Sequence, residues 1–356
     1  MMLETATQVS PLPKLAPFDP RVPDWTTGDI VIRPCPMCGR DDSYERFVCR
    51  PDGLTVVRCP SCRLYFLNPC PGSENLTWFY SRYGSRHRAL TYTREDARRM
   101  LAHISSKAEW DSVRDPRIAG LINTGGLAGK KLLDIGCSRG EFLLAARSLG
   151  ANPVGLDMDH EALRFIQAHL AIPVIEGNAE QVELPENAFD IITCWDLVEH
   201  LLKPKASIKR LVKALKPGAR IAFWTPNADL IEKLGDQWIG FRVDLEHLQY
   251  FSAQTLGSLL KDIHLQPLHI EAVGFPSLAP LTNPQARIHT VAKGLRDRLR
   301  RNRLAVAAVD KLRTVKTSLG FFTGQRLEWM HRGYHLLFIA RKTFGKGRQP
   351  NDAAIS

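Results

Sequence analysis

The sequence predicts an α/β fold, a doubly wound sheet of seven strands, with a small four-cysteine unit before it and a basic helical insertion before its last strand. Three observations predict it. Residues 131–140, KLLDIGCSRG, run an apolar strand into a small-residue turn, and Phe142, Leu143, Ala146 and Leu149 then recur at helical spacing. A second strand, PVGL, ends on Asp157, about 20 residues after the turn, where a ribose-binding acid commonly stands. Strand and helix patterns then alternate as far as residue 225.

Residues 1–29 read as a flexible, Pro-containing tail. It shows neither a basic start nor an apolar segment of signal-peptide type, and no stretch of the chain approaches the ~18 apolar residues of a membrane span. Cytoplasmic residence is the expectation, with peripheral contact at the inner membrane surface as an addition. The apolar fraction of 44% and charged fraction of 24% are those of a soluble globular protein.

Cys35, Cys38, Cys59 and Cys62 form C-x2-C-x20-C-x2-C, a zinc-ribbon spacing. Each Cys-x-x-Cys turn brings two thiolates to one side of a knuckle, and two knuckles complete a tetrahedron. Four cysteines leave no open position, so structural zinc is expected. A disulfide reading is disfavoured in a cytosolic chain. Cys49, Cys70, Cys137 and Cys194 read as small buried apolar residues. The unit spans residues 30–70, too small to hold itself without metal. Its strands, near 43–48, 55–58 and 64–67, carry few basic residues, so a scaffold or substrate lid is favoured over a nucleic-acid reader.

Trp78, Phe79, Tyr80 and Tyr83 follow, interleaved with Arg82, Arg86 and Arg88. Two readings stand: core packing under a domain interface, or the wall of an acceptor pocket in which arginines pair with phosphate. Residues 93–113 read as a helix. Strands are then expected near 131–137, 152–157, 173–176, 189–195 and 219–225, with helices near 140–149, 159–170 and 204–215 and a Lys216-Pro217-Gly218 stop. Ligands of open sheets lie at the carboxyl ends of strands, which gathers residues 136–140, Asp157, Asn178, Ala179 and Trp195 around one crevice. A dinucleotide site wants three glycines at G-x-G-x-x-G; this turn offers Gly136 and Gly140 alone.

The run LLDIGCSRGEFLLAARSLG…VGLDMD, with FDII at 189–192 and LKPGARIAFWTPN at 215–227, resembles the class I S-adenosylmethionine-dependent methyltransferases. The resemblance covers roughly residues 130–273 and a last strand. It implies a Rossmann-like domain binding S-adenosylmethionine through Asp134, Gly136, Cys137, Ser138, Gly140, Asp157, Met158, Asn178, Ala179 and Trp195. Ser138 replaces the family's usual middle glycine, and Asn178 stands where an acid commonly holds the adenine amino group. After the fourth strand comes Asp196-Leu197-Val198-Glu199-His200, where the family often has a Glu-His pair. His200 then either touches cofactor or acceptor or caps an interface. An [N/D]-P-P-[Y/F] box, which would point to amino-methylation of flipped bases, does not follow that strand.

Residues 246–252, EHLQYFS, taken with the four-cysteine unit, are similar to bacterial sugar methyltransferases, including nucleotide-deoxysugar C-methyltransferases. That similarity implies His247 as general base and Glu246 as the acid that orients it, acting on a small-molecule or carbohydrate acceptor, nucleotide- or lipid-linked. Histidine suits the task because its ordinary pKa of about 6.5 leaves a neutral fraction near pH 7. Tyr80 or Tyr83 could add a hydroxyl.

Strands six and seven are expected near 268–273 and 334–340. The net charge of +11 is concentrated between them, where residues 287–332 carry twelve Lys and Arg against three Asp and Glu. Apolar residues recur there at helical spacing. This insertion, residues 280–332, could meet an anionic membrane surface or a partner through 285–332, cap the acceptor pocket, or contact RNA. The expected organisation is thus a tail (1–29), a zinc unit (30–70), a helical and aromatic acceptor-side segment (71–124), the catalytic domain (125–343) and a second tail (344–356). RNA methylation and a non-catalytic binding protein are the alternatives; the weakly basic zinc unit makes nucleic acid the lesser partner.

Overall fold

The computed structural model describes residues 23, 30–41, 43–105, 115–273 and 333–343. The basic insertion expected over 280–332 and nearly all of both tails lie outside the described residues.

The chain begins with short strands β1 (Ile30–Val31), β2 (Glu45–Cys49), β3 (Thr55–Arg58), β4 (Tyr65–Leu67) and β5 (Cys70–Pro71). Helices α1 (Ser73–Tyr80), α2 (Arg94–Ser105) and α3 (Pro116–Asn123) follow, with a π turn over Tyr83–His87. Strand and helix then alternate: β6 (Lys131–Ile135), α4 (Glu141–Ser148), β7 (Asn152–Asp157), α5 (His160–Phe165), β8 (Val174–Glu176), β9 (Phe189–Trp195), α6 (Pro204–Ala214) and β10 (Leu215–Pro226). Short helices α7 (Ile231–Leu234) and α8 (Gly240–Val243) lead to β11 (Gln249–Tyr250), α9 (Ala253–Asp262), β12 (Leu265–Val273) and β13 (His335–Lys342).

The main sheet has seven strands in the order β12-β13-β10-β9-β6-β7-β8. Strand β13 runs antiparallel to both neighbours, and the remaining pairs are parallel. Both faces are covered, as parallel strands require. Leu133, Ile135, Ile192, Ile221 and Phe223 pack with Ile208 and Leu211 of α6 and Leu256 and Leu259 of α9. Their neighbours in sequence, Leu132, Ile191 and Ala222, face the other way, toward Ile118 and Leu121 of α3 and Phe142 and Ala145 of α4. The two-residue period of a strand makes this division, which is why these strands read as unbroken apolar runs.

Helix α3 escaped the sequence reading. Its signal is Asp115-Pro116: the aspartate side chain accepts from Arg117 N at 2.9 Å and proline fills the first helical position. Helix α6 ends at Ala214, just before the expected stop at Lys216-Pro217-Gly218, and that tripeptide is carried inside β10 as an irregularity, with Gly218 at φ 76° and the register against β9 shifting between Leu215 and Arg220. Of the helix expected over 93–113, α2 accounts for the first part, and 106–114 lie outside the described residues.

Of the N-terminal strands, β1 and β5 pair with each other, whereas the sheet of the other three is completed by a distant strand. Strands β2, β3 and β4 pair antiparallel, and β11 adds a fourth strand beside β4, with Gln249 opposite Phe66 and Tyr250 opposite Tyr65. Cys35, Met37, Val57, Cys59, Leu64 and Phe66 belong to the same continuous core as the α6 and α9 face of the main sheet.

Candidate active site

Three left-handed residues shape the turn after β6: Gly136 (φ 75°), Ser138 (φ 46°) and Gly140 (φ 84°). Gly140 caps α4, and a Cβ there would come within 3.2 Å of Ile166 and Leu170. A serine at the middle position bears a steric cost that glycine would not. The turn is tied across to the end of β7. Ser138 N donates to Asp157 Oδ2 at 2.8 Å, while Met158 N and Asp159 N donate to Asp157 Oδ1 at 2.7 and 2.9 Å. Burial raises the Asp157 pKa against these donors. Asp134, on β6, accepts from the Thr193 hydroxyl at 2.6 Å, and burial lifts its carboxyl to about 7.

These loops bound a cleft of about 550 Å³. It is lined by Asp134, Gly136, Cys137, Ser138, Asp157, Met158, Asn178, Ala179 and Trp195, every residue expected at a cofactor except Gly140, whose part is to close the turn. Asn178 Oδ1 accepts from Glu180 N at 2.8 Å, so its side-chain oxygen shapes its own loop. Arg117 of α3 also reaches the cleft, a residue the sequence reading passed over. Its guanidinium lies 5.7–5.9 Å from the rings of Phe142, Trp195 and Trp224 and is paired with Asp115 at 2.8 Å.

The other end of the same cleft gathers Tyr80, Tyr83, Asp196, His200, Asp244, Glu246 and His247. Tyr80 Oη is 2.7 Å from His200 Nδ1, and Tyr83 Oη donates to Glu246 Oε1 at 2.8 Å. The imidazoles of His200 and His247 meet edge to face at 4.7 Å. Burial drives both below the ordinary histidine range, with the neighbouring His200, Arg50 and His335 adding to the effect on His247. Burial also lifts Asp196, to about 6.

The expected pairing of Glu246 with His247 requires correction. Glu246 faces Tyr83 and lies 3.9 Å from His87 Nε2. The carboxylate beside His247 is Glu199, at 4.0 Å from Nε2. Neighbours in a tight turn project their side chains in different directions, so adjacency in EHL did not bring the two together. Among the described residues, neither Glu199 oxygen has a hydrogen-bond partner, nor does His247 Nδ1. Burial, and next the charge of Asp196, raise the Glu199 pKa well above the carboxylate range. Glu199, His200 and His247 each place a ligand atom within 4.8 Å of the others. The 4.0 Å separation exceeds the roughly 3.3 Å edge that bonds of 2.0–2.1 Å imply. With Tyr80 on His200 Nδ1, the cluster suits a hydrogen-bonding acceptor site better than a metal.

The aromatic stretch divides between the core and the cleft. Phe79 is buried, Tyr80 and Tyr83 line the cleft with Arg88, and Arg82 stacks outward on Trp78 at 3.8 Å. Cys35, Cys38, Cys59 and Cys62 converge with their sulfurs within 4.8 Å of one another. The Cys35–Cys62 and Cys38–Cys59 separations are 3.5 and 3.6 Å. These are close to the ~3.8 Å edge of a tetrahedron with 2.3 Å metal–sulfur bonds and far from a disulfide. The donor set fits zinc. Of the other cysteines, Cys70, Cys137 and Cys194 are buried as expected, whereas Cys49 is half-buried.

A family described as "Methyltransferase domain" matches residues 92–270, half of the chain. A ubiquinone biosynthesis O-methyltransferase of Klebsiella pneumoniae is 28% identical over 48% of this chain and 78% of its own. One of Aliivibrio fischeri is 36% identical over 31% of this chain, which spans half of that relative's length. Among solved structures, a SAM-dependent methyltransferase from Archaeoglobus fulgidus aligns over 64% of this chain and 92% of its own, at 18% identity and a TM-score of 0.42. Among the described residues no helix is long and apolar enough to cross a membrane.

Proposed function

We infer the function from one premise: the chain belongs to the class I S-adenosylmethionine-dependent methyltransferase family. Its reaction is methyl transfer from S-adenosylmethionine to a hydroxyl of a sugar or glycan-type acceptor, nucleotide- or lipid-linked. The observation that carries this reading is the paired polar end of the cleft, where Tyr80–His200 and Tyr83–Glu246 stand beside His247, opposite Asp157. Hydroxyl-rich acceptors match such a fringe of donors and acceptors.

The cofactor supplies an activated methyl group. Asp157, fixed by three backbone N–H groups, offers its remaining lone pairs to the ribose hydroxyls. Asp134 and Arg117 both line the cleft, and their charges suit the amino and carboxylate groups of the methionine end. His247, neutral at pH 7, would take the proton of the acceptor hydroxyl as the methyl group passes to its oxygen and S-adenosylhomocysteine leaves. Glu199, protonated in the resting site, is the carboxyl whose ionised form the imidazolium would favour, and Tyr80 holds the His200 ring through Nδ1. Zinc on Cys35, Cys38, Cys59 and Cys62 is structural.

A second acceptor, an intermediate of ubiquinone biosynthesis, is favoured by the likeness to the ubiquinone biosynthesis O-methyltransferase of Klebsiella pneumoniae. Isothermal titration of zinc-loaded protein with S-adenosylhomocysteine, beside Asp157→Ala, tests the cofactor site. Micromolar binding that the variant loses supports the reading, and no binding at millimolar ligand overturns it. Nucleotide sugars and intermediates of ubiquinone biosynthesis then separate the two acceptors by turnover.

A further inference from the structure

Two arginines of the N-terminal unit are buried without serving the cysteines. Arg50 is 1% exposed and Arg33 7%. Arg50 reaches across to the loop between α8 and β11. Its Nη1 donates to His247 O at 2.7 Å and to Tyr250 Oη at 2.9 Å, and its Nη2 donates to Leu245 O. Asp52, 1% exposed in its side chain, pairs with the same guanidinium and accepts from Leu54 N. Arg33 works on the flanks: Nη1 donates to Leu202 O at 3.0 Å, and Nη2 to Leu248 O at 3.0 Å and Gln249 Oε1 at 3.2 Å.

The loop held in this way holds the other histidine in turn. Leu248 N donates to Glu199 O at 2.9 Å, and Gln249 Nε2 donates to Val198 O and Leu201 O at 2.9 and 2.7 Å. None of these bonds touches the turn at 136–140 or Asp157, which are tied to each other. A planar guanidinium fork fixes several carbonyls at once, which a lysine cannot do.

We propose that Arg50 is a positioning residue through which the four-cysteine unit sets His247 and, behind it, the Glu199–His200 turn, so that this unit governs the acceptor end of the cleft and leaves the cofactor end alone. The proposal rests on the assignment of His247 as the acceptor base. It gives the unit a part in acceptor chemistry that structural metal binding alone does not.

The test uses the full, zinc-loaded chain, with S-adenosylhomocysteine and the His247 imidazole NMR signals as probes. The groups facing His247 are His200, Arg50, His335 and Glu199. Removing one cation among them in Arg50→Met should raise the imidazole pKa, whereas Arg50→Lys, which retains charge, should displace the signals with a smaller rise. Tyr250→Phe removes one bond of the fork and serves if Arg50→Met does not fold. The expected result is a His247 signal moved in each variant, with S-adenosylhomocysteine affinity within about twofold of the parent. Unmoved His247 signals, or cofactor affinity falling in step with them, overturn the proposal. Failure of the parent protein to bind S-adenosylhomocysteine is a separate outcome: it overturns the methyltransferase reading and, with it, the acceptor role on which the proposal rests.

Discussion

His247 Nε2 stands 4.0 Å from Glu199 Oε1, and both side chains are at most 5% exposed. Glu199→Gln keeps the shape and removes a buried carboxyl that can ionise when His247 becomes charged. Turnover should fall about 100-fold, within the usual range for a disabled acid–base pair, while S-adenosylhomocysteine affinity stays unchanged. Because burial lowers the His247 pKa, the acid limb of the parent rate profile should lie below pH 6.5, with activity lost as pH falls through that folded value. An acid limb at or above 6.5 would exclude His247 as the base.

Tyr80 and His200 share a 2.7 Å bond inside the cleft. Tyr80→Phe leaves a buried imidazole nitrogen without its main partner, at a cost of about 1–3 kcal/mol. Turnover is expected to drop 10-fold or more with no change in cofactor binding by calorimetry. An equal loss in both would show that Tyr80 supports the whole cleft.

Asp134 carries a pH dependence of its own. Its carboxyl rises from 3.8 to about 7 by burial, so the folded chain holds this proton more tightly than the unfolded chain. The resulting stabilisation is full below pH 4 and lost as pH rises through 7. Asp134→Asn does not titrate, so its stability relative to the parent should increase between pH 4 and 8, by up to about 4 kcal/mol at ~1.36 kcal/mol per unit. Urea unfolding of cofactor-free protein across that range measures it, and a constant difference would refute it.

Ser138 is left-handed at φ 46°. Ser138→Gly relieves that conformation and should stabilise the fold by about 1 kcal/mol, allowing for the greater entropy of an unfolded glycine. Thermal melts with and without S-adenosylhomocysteine test this. Weakened cofactor binding in the glycine variant would mean that the serine side chain is itself a contact.

Cys59→Ser, or chelation of the metal, should loosen β3 and β4, and with them β11. Hydrogen exchange is expected to quicken at Val57, Phe66 and Tyr250 together, while β6 and β7 keep their protection. Quickening confined to residues before 72 would show that the sheet tolerates loss of its cysteine knuckles.

The cofactor end was legible because its signals are local. A strand, a small-residue turn and an acid after the next strand lie within 27 residues, from Lys131 to Asp157, and each obeys a short-range rule. The four cysteines were legible for the same reason. The far end of the cleft was read in part. His200, Glu246 and His247 were singled out and do line one cleft, yet the carboxylate beside His247 comes from a turn 48 positions earlier, which no spacing reports. Arg117 was hidden in a helix signalled by Asp115-Pro116 alone, and Arg50 looked like one more basic residue of a small metal unit. Arg50 acts through long-range carbonyl contacts and Arg117 through the rings it meets across the cleft, and sequence periodicity carries no trace of either. Strand β11 is two residues long and pairs with a partner some 180 positions away, which places it beyond any local pattern.

That pairing has a consequence during synthesis. Strands β2, β3 and β4 leave the ribosome early, but the strand that covers the edge of β4 is made only some 180 residues later. Until then the nascent chain exposes the apolar edge Tyr65-Phe66-Leu67, a surface open to wrong partners. Fragments that stop short of Gln249 should therefore aggregate even when their cysteines are fully loaded with metal, and fragments that include it should remain dispersed.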